Sequence, residues 1–191
     1  KYLVLENVDR LLKAPSNQRG RDFAIMLAAF NQLGYSVEWR VINAADYGRA
    51  QRRRRVFFFV FRNDTKWGER LHTKYEATLP NDADLNARLD CYAPYIFEDG
   101  LFGRQFPVKN EAVKKRINAN KLDEDIAEVS ANFSDGKMWN SGLMTNGYYY
   151  TIETEPKGDE EPIPMKKIVV KENPQQTARE NFYLVTPFRA K

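Results

Sequence analysis

The sequence predicts an α/β fold over its first third, followed by a smaller, mixed and irregular region. Three observations carry this reading. Apolar runs and one helical stripe succeed one another in the order strand, helix, strand, loop, strand within residues 1–62. Beyond that point the chain turns polar and broken, and eight of its nine prolines lie there. The charge divides at the same place: residues 1–62 hold 12 Lys+Arg against 5 Asp+Glu, whereas the remainder holds 18 against 21. A domain boundary is therefore expected near residue 63, giving domains 1–62 and 63–191.

Each element has its own pattern. Tyr2 to Leu5 is a short apolar run ending on Glu6-Asn7, as in a buried strand with a polar tip. Pro15, Ser16, Asn17 and Gly20 make residues 9–20 an irregular loop. From Arg21 onward Phe23, Met26, Leu27, Phe30 and Leu33 keep helical spacing, and Gly34 stands where a left-handed C-cap belongs. Val37, Trp39 and Val41 alternate with Ser36, Glu38 and Arg40, which predicts a strand over 36–43 with one face buried. Residues 56–62 are apolar on both sides, as in a central strand covered by helices. Asn63 to Gly68 then reads as a turn-rich exit, and residues 71–89 and 108–128 carry mixed charge compatible with helices. Asn146-Gly147, set between Leu143-Met144 and the Tyr148 to Tyr150 run, predicts a hairpin.

Composition narrows the function classes. With 191 residues and 42% hydrophobic content, the chain can bury one sizeable core. Its longest apolar run, Val56 to Phe61, is far below the ~20 residues of a membrane span, and no signal-like segment opens the chain. Cys91 is the only cysteine, which excludes an internal disulfide framework and agrees with a cytoplasmic address. His72 is a lone histidine without partners at metal-ligand spacing, so no metal site is expected. The basic first third suits a surface that faces polyanions. Because the chain starts at Lys1 inside a strand-like run, it reads as a fragment.

The chemistry-bearing residues form two blocks. Glu6-Asn7-Val8 lies at a strand end, and Gln51-Arg52-Arg53-Arg54-Arg55 precedes the strand at 56–62, with a helix and a strand between. This order resembles the DNA (cytosine-5)-methyltransferase family, which pairs a Glu-Asn-Val block with a Gln-x-Arg-x-Arg block. The resemblance is close over residues 1–62, about a third of the chain. It implies a partial Rossmann-like, S-adenosylmethionine-dependent methyltransferase sheet followed by an incomplete target-recognition domain. It also implies transfer of a methyl group to C5 of a cytosine flipped out of double-stranded DNA.

The resemblance assigns roles residue by residue. Glu6 matches the carboxyl group that engages the N3 and N4 edge of cytosine, and Arg55 matches the cation at O2. Asn7, Val8, Gln51 and Arg53 match supporting positions, with Arg53 expected to hold a phosphate or the active-site loop. Arg52 and Arg54 lie on the other side of an extended segment, Arg52 being a further phosphate contact. In the recognition region Lys137 is the candidate phosphate contact, and Asn140, Ser141 and Thr145 are candidate readers of base edges.

Two departures from the family pattern stand out. Ala50 replaces the proline usual before the Gln, which removes a fixed φ from the loop. The family's Pro-Cys-Gln nucleophile block and its glycine-containing cofactor turn are not within residues 1–191, and Cys91, between Asp90 and Tyr92, has the wrong context and order for the nucleophile. The parent is therefore expected to be a bacterial or phage enzyme, with or without a restriction endonuclease partner, and this piece is expected to be inactive. Two other readings stay open: a tRNA cytosine-5 methyltransferase, and a non-catalytic DNA-binding module or one chain of a split enzyme.

Overall fold

A computed structural model describes residues 1–80, 82–109, 116–122, 125–133 and 137–164. Their centre is a six-stranded sheet in the order β1-β3-β2-β5-β6-β4, with every neighbouring pair antiparallel. The strands are β1 (Tyr2–Asn7), β2 (Tyr35–Asn43), β3 (Arg54–Arg62), β4 (Ile117–Lys121), β5 (Ser141–Thr145) and β6 (Tyr148–Ile152). Helices α1 (Arg21–Gln32) and α5 (Ile126–Asn132) pack together on one face. Helices α2 (Lys66–Lys74), α3 (Leu85–Pro94) and α4 (Leu101–Gln105), with a π-helical turn over Tyr95–Asp99, cover the other. The result is a three-layer α/β/α arrangement.

The apolar run of β3 is explained by those two layers. Val56, Phe58 and Val60 join the core on the α1 side, while Phe57, Phe59 and Phe61 join the α2–α4 side. A strand buried on both faces has no use for polar alternation. α1 crosses from β1 to the parallel β2 by burying Phe23, Ala24, Leu27 and Ala28, and Gly34 follows it with φ 74°. At the 145–148 hairpin Asn146 and Gly147 both take positive φ, 49° and 77°, as the expected two-residue turn requires.

Five sequence expectations are corrected. β1 is not buried: Tyr2, Leu3 and Val4 are 51%, 38% and 66% exposed, because among the described residues only β3 pairs with it and its outer edge is open. β2 buries both faces rather than one, since the α3–α4 segment covers the side that carries Ser36, Glu38 and Arg40. The exit after Arg62 is a short turn that leads straight into α2, where Thr65 Oγ1 accepts from Gly68 N at 3.3 Å. Residues 9–20 include a 3-10 turn at Asp9–Lys13. Of the two segments read as compatible with helices, 71–89 holds the end of α2 and the start of α3, whereas 108–128 holds the strand β4 and only the start of α5, because 117–121 pairs with β6; residues 110–115 lie outside the described residues.

No helix among the described residues is long and apolar enough to cross a membrane. The sheet joins strands from both sides of residue 63, with β2 bonded to β3 on one edge and to β5 on the other.

Candidate active site

The site forms where β1 ends and β3 begins, at the same end of the sheet as the C-terminus of β2. Antiparallel register brings Glu6 opposite Phe57 and Asn7 opposite Val56, so the carboxylate lies beside the first residues of β3. Side chains alternate along an extended segment, which sends Arg53 and Arg55 to the face of Glu6 and Arg54 to the opposite face. Arg53 Nη2 donates to Glu6 Oε1 at 3.2 Å, and Arg55 Nε forms an ion pair with the same oxygen at 3.3 Å. Arg54 Nε instead reaches Asp9 Oδ2 at 2.9 Å. Thus the two arginines of the Gln-x-Arg-x-Arg block converge on one carboxylate oxygen, and the arginine between them does not.

Neighbouring groups set the backbone. Asn7 Oδ1 accepts from Val8 N at 2.7 Å and shapes the turn after β1. Gln51 and Arg52 are exposed, and the Gln51 carbonyl accepts from Arg53 N at 3.1 Å as the loop enters β3. Arg55 Nη1 donates to the Arg54 carbonyl at 2.8 Å, which steadies its guanidinium.

A cavity of about 390 Å³ opens against Arg53 and Arg55. β2 and β3 supply Ile42 and Phe57 on one side, and the end of α4 supplies Gln105 and Phe106 on the other. Arg40 Nη1 donates to the carbonyls of Phe102 and Phe106, at 3.1 and 2.8 Å, and its Nη2 donates to the Ile96 carbonyl. Glu38, two residues earlier on the same face, accepts from Leu101 N and Phe102 N, both at 2.8 Å, and from the Tyr95 hydroxyl at 3.2 Å. The pair is fully buried. Burial pushes the Glu38 carboxyl up and the Arg40 guanidinium down, while the Phe102 backbone donor, the Arg40 charge and the Leu101 donor oppose the first effect.

This clamp escaped the sequence reading. A charged pair at i, i+2 in an otherwise apolar strand was its one available signal. Gly100 belongs to it as well, since a Cβ there would overlap the Glu38 carboxylate.

The recognition-region candidates divide. Lys137 is exposed and lines a groove with Asn140. Asn140 also bridges the Thr154 main chain, its Oδ1 accepting from Thr154 N and its Nδ2 donating to Thr154 O, both at 2.8 Å. Ser141 is buried and its hydroxyl bonds Thr154 Oγ1 at 2.7 Å; Thr145 is buried and its hydroxyl bonds Ser36 Oγ at 2.9 Å. Both hydroxyls act inside the sheet and do not reach the surface.

Cys91 is half-buried on α3, with its thiol donating to the Tyr75 carbonyl at 3.3 Å. The Tyr92 and Asn146 side chains bond Glu76 beside it, which places this cysteine at the hairpin end of the sheet, away from Glu6. His72 is exposed on α2, and the described residues contain no cluster of His, Cys, Asp and Glu fit to hold a metal ion.

The chain is 50% identical over 157 residues to the Type II methyltransferase M.Sau3AI of Staphylococcus aureus, covering 82% of this chain and 34% of that protein. It is 39% identical over 61 residues to the Type II methyltransferase M.NlaIV of Neisseria lactamica, covering 30% of this chain and 14% of that protein. It is 36% identical over 64 residues to the Type II methyltransferase M.HhaI of Haemophilus parahaemolyticus, covering 34% and 19%. The chain thus spans about a third or less of the length of these relatives. The model of C-5 cytosine-specific DNA methylases matches residues 1–186, which is most of the chain, and the chain belongs to the C-5 cytosine-specific DNA methylase family.

Proposed function

We propose that this chain supplies half of the base pocket, and most of the target-recognition region, of an enzyme that methylates C5 of cytosine in double-stranded DNA. One observation carries the reading: both motif arginines meet Glu6 Oε1 at the tip of β1. Residues 1–62 supply the two motif blocks of the pocket, and residues 63–191 are read as the recognition domain. The reading also places the enzyme in the cytoplasm of a bacterium or phage host, with or without a restriction endonuclease partner.

Cytosine C5 is a weak nucleophile, and addition of a thiolate to C6 converts the ring into an enamine that reacts at C5. S-adenosylmethionine supplies the methyl group when bound, but no residue of this chain is assigned to hold it, because the family's cofactor turn and Pro-Cys-Gln block are not within residues 1–191. Glu6 holds a proton at N3 and accepts from the exocyclic amine, which drains electron density from C6. Arg55 stays charged at any working pH and stabilises the negative charge that grows on O2 during attack. Arg53 orients the Glu6 carboxylate through the same oxygen, Oε1.

The extended region after residue 63 favours duplex DNA over a folded RNA as the substrate. The decisive experiment gives the full-length protein radiolabelled S-adenosylmethionine with either duplex DNA or tRNA. Incorporation into DNA that vanishes on pre-methylation of cytosine C5 is the expected result, and incorporation into tRNA alone would overturn it. By the same reasoning residues 1–191 alone should transfer no methyl group, and micromolar cofactor binding by that piece in a calorimetric titration would contradict the assignment.

A further inference from the structure

Arg54 leads away from the base pocket into a second cavity. On the opposite face of β3 a groove of about 250 Å³ lies between the loop that follows β1 and the segment that enters β5. Its rim carries Lys13, Arg19, Arg54 and Lys137, and its floor is apolar, with Leu12, Val41, Met138 and Trp139. Two carboxylates, Asp9 and Glu153, also line it. Each of these already has a cation: Asp9 bonds Arg54 at 2.9 Å, and Glu153 pairs with Arg116.

Lys13, Arg19 and Lys137 are left exposed, and none of them makes an ion pair among the described residues. Three uncommitted cations from two separate segments therefore face one groove. Asp9 and its bond to Arg54 tie this groove to the turn that follows Glu6, so it sits directly behind the base pocket.

We propose that this groove is an anion site that seats a backbone phosphate of the DNA, with the sugar against the apolar floor, next to the nucleotide held by Glu6 and Arg55. The inference rests on the DNA-methyltransferase reading and extends it to a site on the other face of the sheet. Cations that surround a phosphate act by releasing the counterion condensed on it, so losing the seat for one phosphate lowers the slope of log affinity against log salt by about 1. They carry no base information, so their loss weakens binding to all sequences alike.

The test uses the full-length protein and measures its affinity for a duplex oligonucleotide across a salt series. The triple variant Lys13→Gln, Arg19→Gln, Lys137→Gln should reduce the slope by about 1, and each single variant by less. Arg54 is left in place because its loss would strand Asp9. Lys66→Gln, an exposed lysine at the start of α2, should leave the slope unchanged. Lys13→Arg should restore what Lys13→Gln loses. A parent slope in the triple variant overturns the site while leaving the enzyme reading intact if the parent still methylates DNA. A parent that methylates no DNA overturns both. Unchanged thermal melting of the variants shows that a lost slope is lost binding.

Discussion

At the scale of the residue, Glu6 is held between two cations, and chemistry is expected to depend on it more than affinity does. Glu6→Gln in the complete enzyme keeps the shape and removes the carboxyl group; it should lower kcat by about 10²- to 10⁴-fold. DNA affinity, measured by fluorescence anisotropy, should change far less. Arg55→Ala should lower kcat by about 10²- to 10³-fold, as for loss of a donor aimed at developing negative charge. Equal losses in kcat and affinity would instead make these residues part of the scaffold. The alternation of Arg53 and Arg55 against Arg54 could be read from the period of an extended chain. That Arg53 also reaches Glu6 at 3.2 Å could not, because it depends on the register that sets Glu6 opposite Phe57.

At the scale of the element, β2 does more than complete the sheet. Its Glu38 and Arg40 bind the Ile96–Phe106 segment through main-chain groups, and Gln105 and Phe106 at the end of that segment wall the cavity beside the motif arginines. Arg40→Met should cost about 3–5 kcal/mol in urea unfolding, because it leaves the Glu38 charge buried and unpaired. Glu38→Gln combined with Arg40→Met should cost less than the two single changes together, as coupled partners do.

A second contact on this layer gives a pH dependence. Asp99 bonds Lys74 and the Tyr75 hydroxyl, and these, Lys74 first, hold its carboxyl below the ordinary range. The folded state therefore binds that proton more weakly than the unfolded chain. Its stabilisation is present above about pH 4 and is lost as the pH falls through the depressed value. Asp99→Asn should flatten the fall of the melting temperature over that acid range.

At the scale of the whole molecule, two helical layers enclose the sheet, yet among the described residues β1 presents an open edge with Tyr2, Leu3 and Val4 exposed. An apolar strand edge of this kind templates pairing with another chain. The 191-residue piece should therefore self-associate in sedimentation velocity, and Val4→Lys should suppress the association without lowering the melting temperature. The hairpin at Asn146-Gly147 was legible because positive φ at both turn positions demands those residues. Its place in the molecule was not. Nothing local says that β5 pairs with β2 across about a hundred intervening residues, or that Ser141 and Thr145 spend their hydroxyls on Thr154 and Ser36.

The amino-acid sequence by itself determined the order of strands and helices in the first 62 residues, the faces of the arginine block, and the two blocks whose chemistry suits a cytosine. Those properties follow from short periods and from residue types. Tertiary structure alone decided which carboxylate the arginines meet, which polar residues of β2 are buried, and which side of β3 faces the second groove. Each of these depends on register and on layers contributed by distant segments, and a local pattern carries no information about either.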